Sequence, residues 1–190
     1  MTSDGELFAR SLGAPTAFAE IFERHARPVW RYAQRRVGRD AADEVVAETF
    51  LIAFERRSRF DPSYGSARPW LMGIATNVIR HRLREERAHL VAMGRAAEPI
   101  EVEGSVDVGR LDAQRMRGPL TDALRSLSNE DRDTFLLVAA GELTYAEAAV
   151  ALGIPVGTVR SRMHRARAQL RERVPGLGAI GDGGVDDDDG

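Results

Sequence analysis

The strongest constraint on the fold is a series of helix boundaries over residues 128–173. Ser128 and Thr144 each precede an acidic residue by three positions, which is the pattern of a side chain that caps a helix N-terminus. Gly153 lies where the end of a helix favours a left-handed residue. A further helical pattern starts near Pro155 and continues to about residue 173. Helix, short turn with glycine and second helix together predict a helix-turn-helix unit.

The last helix of this unit has an apolar back and a polar, cationic front. Four apolar residues share one narrow face when 155–171 is helical, namely Val159, Met163, Ala166 and Leu170. A helix of this kind fits the major groove, where the front reaches base edges and the flanking arginines neutralise phosphates. The predicted contacts to duplex DNA are Gly157, Thr158, Arg160, Ser161, Arg162, His164, Arg165 and Arg167.

A solvated arginine-rich helix is the alternative interpretation of the same segment. Residues 158–173 contain six arginines and one acid, Glu172, in a chain whose net charge is -2. Intrahelical ion pairs therefore cannot offset the repulsion between like charges. All 27 basic residues are arginines, whose planar guanidinium suits phosphates and base edges. We favour nucleic acid as the compensating anion.

The first half of the chain shows three helical patterns and no strand-like alternation. They cover about 17–37, 41–57 and 69–91, and Pro28 is expected to kink or break the first. Residues 94–119 lose this periodicity and gain glycine, proline and acidic residues, as a linker does.

The predicted fold is all-α, with two small helical domains joined by a flexible linker, the C-terminal one a helix-turn-helix. The expected segments are an N-terminal arm 1–16, a helical domain 17–93, the linker 94–119, a helix-turn-helix domain 120–173 and a tail 174–190. The tail carries five Asp and no arginine, and we expect it to be disordered.

Catalysis and metal binding have no support in the sequence. The absence of cysteine excludes disulfides and thiolate zinc sites. The four histidines are scattered, and no phosphate loop, nucleophile elbow or metal-ligand spacing is present. We predict no catalytic residues, no metal and no cofactor. No apolar run is long enough for a membrane span, and no signal sequence is recognisable, so we expect a cytoplasmic protein.

Four segments resemble one known family. "LTYAEAAVALG" and "LGIPVGTVRSRMHRARAQL" are similar to the C-terminal promoter-binding domain of the extracytoplasmic-function (group IV) sigma factors of bacterial RNA polymerase. "DEVVAETFLIAF" and "RPWLMGIATNVIRHRLREER" resemble the N-terminal domain of that family. The resemblance covers roughly 17–90 and 120–173. It implies a non-enzymatic subunit that directs promoter-specific initiation, with 155–171 binding the −35 element.

The third helical pattern and the loop before it suit a single strand of DNA, because aromatic and amide groups hold bases while arginines follow the backbone. The resemblance implies that this surface melts and reads the −10 element. The candidate residues are Phe60, Tyr64, Arg68, Trp70, Asn77, Arg80, His81 and Arg84. Core packing is the alternative for Trp70.

The second helical pattern has an acidic edge that, from the sequence alone, would be assigned to solvent. The resemblance implies that it docks on core RNA polymerase, on the clamp helices of the largest subunit. The residues concerned are Asp43, Glu44, Val45, Glu48, Thr49 and Ile52. The resemblance also implies an anti-sigma factor as regulator, besides promoter DNA as a partner.

A conventional helix-turn-helix regulator is the main rival hypothesis. Its N-terminal half would be a sensor or a dimerisation domain, and it would bind a duplex operator by itself. An enzyme is the second rival, and the missing catalytic motifs argue against it.

Overall fold

The computed structural model describes residues 2–93 and 113–174, which contain seven α-helices and no strand. An all-α fold is thereby confirmed for these two ranges. The rest of the expected linker, 94–112, and the tail from 175 lie outside the described residues. Neither range contains a helix with the length and apolar character that crossing a bilayer requires. The helices are α1 Asp4–Gly13, α2 Phe18–Glu55, α3 Arg68–Ala92, α4 Ala113–Ser126, α5 Asn129–Ala139, α6 Tyr145–Leu152 and α7 Val156–Arg173.

Helices α1 to α3 form an N-terminal domain in which α2 packs along α3. The apolar residues that repeat at helical spacing in the sequence are buried here, including Ala42 and Phe50 of α2 and Leu71 and Ala75 of α3. Their burial places one apolar face of each helix in the core. It also leaves the opposite faces of α2 and α3 for solvent or partners.

The predicted break at Pro28 is wrong, because α2 keeps helical backbone angles there and departs from them at Gly38. A proline removes one backbone hydrogen bond, and the fully buried Val29 and Tyr32 hold the helix in place across it. Gly38 has φ 80° and ψ 171°, a conformation that only glycine adopts readily. The two predicted helical segments of α2 therefore meet at Gly38.

The expected N-terminal arm contains a helix that the sequence analysis did not identify. A capping box of Ser3 and Glu6 starts α1, and Leu7 is fully buried. Asp4 accepts hydrogen bonds from the backbone N–H of Ala67 at 2.8 Å and from His25 at 2.8 Å. Burial raises the pKa of Asp4, but these hydrogen bonds outweigh it and hold the pKa below its ordinary value. The carboxylate thus ties α1 to both other helices of the domain.

Helices α4 to α7 form a C-terminal domain with the predicted helix-turn-helix. Ser128 accepts a hydrogen bond from the N–H of Asp131, and Thr144 forms a complete capping box with Glu147. Gly153 has the left-handed conformation, with φ 64° and ψ 37°. These three boundaries are confirmed. Helix α4 begins at Ala113, within the stretch that we expected to be linker.

The two domains pack directly on each other through α3 and α6. The backbones are so close that a Cβ added to Gly73 of α3 would lie 2.3 Å from the carbonyl oxygen of Ala151 in α6. Any side chain at position 73 would overlap with this oxygen. The absence of a side chain at Gly73 is therefore a condition of the domain contact.

We expect Gly73→Ala to separate the domains, because the added methyl group cannot be accommodated and overpacking costs about 1–3 kcal/mol. Alanine favours the helical state of α3, so the N-terminal domain itself should remain folded. The measurement is the radius of gyration by small-angle X-ray scattering, which should increase. Gly13→Ala is the control, because nothing lies within 4 Å of a Cβ at that position. An unchanged radius for Gly73→Ala would contradict this account of the contact.

Candidate nucleic-acid interface

The exposed face of α7 is the first part of the candidate interface. Val159, Met163, Ala166 and Leu170 are at most 1% exposed, which confirms the predicted apolar back of the helix. Packing of this back turns the polar front outward. Gly157, Arg160, Ser161 and His164 are exposed, whereas Thr158, Arg162 and Arg167 are half-buried at the margins.

Arg165 also lies on this front, and a carboxylate of its own domain holds it in place. Its guanidinium donates to both carboxylate oxygens of Asp131, at 2.8 and 3.2 Å. The hydrogen bond and the charge of Asp131 raise the pKa of Arg165. Its side chain nevertheless remains 54% exposed. Arg165 can therefore meet an external partner in a fixed orientation.

Two of the three aromatic residues predicted for the −10 surface, Phe60 and Trp70, pack against the core of the N-terminal domain. Phe60 is 7% exposed and stacks on Phe8 with a distance of 4.3 Å between ring centroids. Trp70 is half-buried and meets the Phe8 ring edge-on at 5.5 Å. Helix α1 covers the ring of Phe60, so this ring is not presented at the surface, and a role of Phe60 at the −10 element stays a prediction. Tyr64 remains 45% exposed on the turn Pro62–Tyr64.

The polar residues predicted for the same surface have different surroundings. Asn77, Arg80 and Arg84 line a cavity of about 510 Å³ between the two domains. His81 lies outside this cavity and pairs with Glu85 on its own helix at 3.1 Å. Arg68 donates to the carbonyl oxygen of Gly141 in the C-terminal domain at 2.7 Å.

An ion pair that the sequence analysis missed crosses from one domain to the other beside the cavity. Asp133 of α5 accepts from Arg36 of α2 and from Arg80 of α3, both at 2.5 Å. The side chains of Asp133 and Arg36 are only 2% and 4% exposed. Burial lowers the pKa of Arg36, but Tyr32 and Asp133 raise it above its ordinary value, so the guanidinium stays charged. No local sequence pattern links residues so far apart in the chain.

The acidic edge of α2 is partly neutralised within the N-terminal domain. Arg82 of α3 donates to Glu44 at 2.6 Å and approaches Glu48 at 3.5 Å. Asp43 accepts from the indole N–H of Trp30 at 2.8 Å. All three carboxylates still reach the surface, because the side chains of Glu44 and Glu48 are 67% and 41% exposed and Asp43 is exposed.

Two residues predicted for this edge cannot contact a partner. Val45 and Thr49 are fully buried, since they lie on the face of α2 that packs into the core. Ile52 is half-buried at the edge. Leu51, which no sequence pattern indicated, is 58% exposed on the same helix. The available surface is therefore acidic with an apolar contribution from Leu51 and Ile52.

The side chains that the candidate interface presents are arginines, amides and carboxylates, which form hydrogen bonds and ion pairs with a partner. Throughout 2–93 and 113–174, no cluster of three or more histidine or acidic side chains has a geometry that could hold a metal ion. What the geometry provides is a cationic helix front and a cationic interdomain cavity, both suited to polyanions.

Family models match both halves of the chain. The Sigma-70 region 2 model matches residues 21–89, and the model for Sigma-70, region 4 matches residues 117–170. The chain is 34% identical over 161 residues to "RNA polymerase sigma factor CarQ" of Myxococcus xanthus, covering 84% of this chain and 90% of that protein. It is 33% identical over 175 residues to "ECF RNA polymerase sigma factor SigL" of Mycobacterium tuberculosis, covering 90% and 98%.

Two solved structures share the fold. CnrH in complex with the cytosolic domain of CnrY superposes with a TM-score of 0.62 at 26% identity, over 90% of this chain and 96% of that one. The sigma factor RpoE in complex with the anti-sigma factor NepR from Bartonella quintana gives a TM-score of 0.63 at 25% identity, over 82% and 94%.

We expect Asp133→Ala to open the domain contact. Removal of the carboxylate leaves Arg36 buried without a charge partner, at a cost of about 3–5 kcal/mol, and Arg36 regains water when the domains separate. The sedimentation coefficient should fall. Asp122→Ala is the control, because Asp122 is exposed and pairs with Arg125 on its own helix. A sedimentation coefficient equal to that of the parent chain would show that the contact does not need this carboxylate.

Proposed function

The chain belongs to the extracytoplasmic-function sigma factors of the sigma-70 family, and we propose that it binds core RNA polymerase and reads the two elements of its promoters with separate helical surfaces. As a member of this family it directs transcription initiation by RNA polymerase and is not an enzyme. The proposal assigns the −35 element to α7 and the −10 element to α3.

The exposed front of α7 is the observation that carries the proposal. Arg160, Ser161 and His164 project from a helix whose back is fully packed, so the helix can enter a major groove without rearrangement. Arg165 is held by Asp131 beside them. Arg162 and Arg167, at the margins, are placed to contact phosphates.

The −10 element is assigned to the polar side of α3. Asn77 is exposed and has an amide that can hydrogen-bond a base edge. Arg84 is also exposed and lies seven residues later on the same helix. Phe60 and Trp70 support this surface from the core rather than contacting a base. Melting would follow from capture of an unpaired base beside Asn77.

The edge of α2 is assigned to core polymerase. Asp43, Glu44 and Glu48 offer negative charge, and Leu51 supplies exposed apolar area beside them. Acidic residues around an apolar contact suit a basic helical partner such as the clamp helices of the largest subunit.

The domain packing has a consequence for this proposal. Asn77 is exposed but lines the cavity between the domains, so the C-terminal domain restricts the space for a DNA strand beside it. We propose that core polymerase separates the domains and holds each over its promoter element, which raises their effective concentration on DNA. One structural neighbour is the sigma factor RpoE in complex with the anti-sigma factor NepR, which supports an anti-sigma factor as regulator of this chain.

Run-off transcription with purified core polymerase tests the proposed function. Addition of this chain should produce transcripts of defined start from a promoter library, and core polymerase alone should not. Transcripts that are independent of the chain, combined with tight binding of the chain alone to a duplex operator, would favour the conventional regulator instead.

We expect Arg160→Ala to weaken promoter binding by about 1–3 kcal/mol at one position of the −35 element, because a base-edge contact is lost. The measurement is affinity of the holoenzyme for templates substituted at each −35 position. Arg171→Ala, on the last turn of the same helix, is the control and should not alter sequence preference. An equal loss on all templates would identify Arg160 as a phosphate contact.

We expect Asn77→Ala to slow promoter opening while association with core polymerase is unchanged, because the amide that holds an unpaired base is removed. Permanganate reactivity of thymines in the −10 region follows the opening. Asn129→Ala is the matched control, since Asn129 places the same group on the α5 wall of the cavity. Normal opening by the Asn77 variant would refute the assignment.

A further inference from the structure

The cavity between the domains has an unusual concentration of positive charge. Six arginines line it, from four different helices, against the two acids Glu130 and Asp133. The arginines are Arg36 of α2, Arg80, Arg84 and Arg87 of α3, Arg132 of α5 and Arg162 of α7. Both domains therefore contribute cations to one cavity of about 510 Å³.

Three of these arginines each have two or more hydrogen-bond or ion-pair partners. Arg36 and Arg80 share Asp133, and Arg132 donates to the backbone carbonyl oxygens of three residues at the α4–α5 junction. Burial and the charge of nearby Arg36 lower the pKa of Arg132, which reflects the crowding of like charges. The cations of the cavity are thus only partly compensated.

The other three arginines have no carboxylate partner within the part of the chain that the structure describes. Arg84 donates only to the carbonyl oxygen of Arg80, at 3.2 Å, and Arg87 and Arg162 have no ion pair there. Arg84 and Arg87 are exposed, and Arg162 is half-buried. Three guanidinium groups from both domains are therefore available to one acidic ligand.

We propose that the Asp-rich C-terminal segment of the chain itself, 182–190, binds in this cavity and holds the two domains together. Its carboxylates, Asp182 and Asp186 to Asp189, would pair with Arg84, Arg87 and Arg162. This segment lies outside the described residues, so its docking is inferred from charge and reach.

The negative charge of the segment complements the arginines of the cavity, and the chain between α7 and the segment is long enough to reach them. The chain from 174 to 190 contains five Asp and no arginine. Helix α7 ends at Arg173, and Arg162 lies eleven residues earlier on the same helix, or about 17 Å away. The residues from 175 to 186 can span up to about 40 Å. A tethered ligand of this length acts at an effective concentration on the order of millimolar, which favours it over a free polyanion.

Docking of this segment would compete with DNA, because Arg84 and Arg162 belong to the surfaces that we assign to the −10 and −35 elements. That consequence rests on the proposed function. The docking itself does not, and its test uses neither DNA nor polymerase.

The test maps the reactivity of individual arginines in the full chain. Phenylglyoxal modifies free guanidinium groups, and peptide mass spectrometry locates the products. The variant combines Asp186→Asn, Asp187→Asn, Asp188→Asn and Asp189→Asn, which removes charge from the segment without altering the helical domains. At low salt we expect the reactivity of Arg84, Arg87 and Arg162 to rise several-fold in the variant. Arg56 and Arg171, exposed and outside the cavity, are internal controls.

Salt and a spin label give independent readouts. Raising NaCl to about 1 M should bring the unmodified chain to the reactivity of the variant, because screening removes the attraction.

The chain has no cysteine, so a nitroxide can be attached to Gly184→Cys alone. It should broaden the amide resonances of Asn77 and Asn129 at low salt and not in 1 M NaCl.

Two outcomes would overturn the proposal. The first is equal reactivity of the three arginines in both proteins at low salt, together with no broadening at Asn77 and Asn129. The second is a rise that includes Arg56 and Arg171 to the same extent, which would mark a general change in reactivity. Protection of the three arginines by an added oligonucleotide, equal in both proteins, would assign the cavity to nucleic acid instead.

Discussion

The arrangement of the two domains depends on one buried carboxylate. Asp133 and Arg36 have almost no exposed surface, so two opposite charges have been withdrawn from water at a single point, whereas Arg80, the second partner of Asp133, remains 35% exposed. The desolvation of such groups is costly and is offset only when geometry and hydrogen bonding are good. The pair therefore contributes less to net stability than to specificity, because alternative packings of the domains would leave Arg36 or Asp133 buried without its partner. The close approach at Gly73 restricts the same contact sterically.

Helices α7 and α2 each have one face packed in the core and one exposed face. The back of α7 is fully packed while its front remains exposed, and α2 buries Val45 and Thr49 beside an exposed acidic edge. Helix α3 differs, since its polar side meets the C-terminal domain as well as solvent. The α3 surface that we assign to DNA is thus also the surface that joins the domains, and binding at one is linked to release of the other.

Features set by neighbouring residues were predictable from the sequence, and those set by distant contacts were not. The caps at Ser128 and Thr144, the glycine at 153 and the apolar stripe of α7 follow from local rules, and all are confirmed. The cover of α1 over Phe60 and the pairing of Arg36 with Asp133 arise from tertiary packing, which no local pattern encodes. The predicted break at Pro28 does not occur, because burial of the neighbouring residues outweighs the loss of one backbone hydrogen bond. The family is established by similarity, whereas the roles of individual residues at DNA and polymerase stay predictions.

The ion pair between Arg165 and Asp131 affects which positions on the exposed front of α7 can be substituted without loss of stability. One long side chain of the front is anchored to the scaffold, while Arg160 and His164 beside it make no hydrogen bond or ion pair within the described part of the chain. Substitutions at those two positions leave the hydrophobic core and the anchor untouched, so their cost to folding is small. Under the proposed assignment of α7 to the −35 element, single substitutions at these two positions would change the preferred DNA sequence while the protein stays folded.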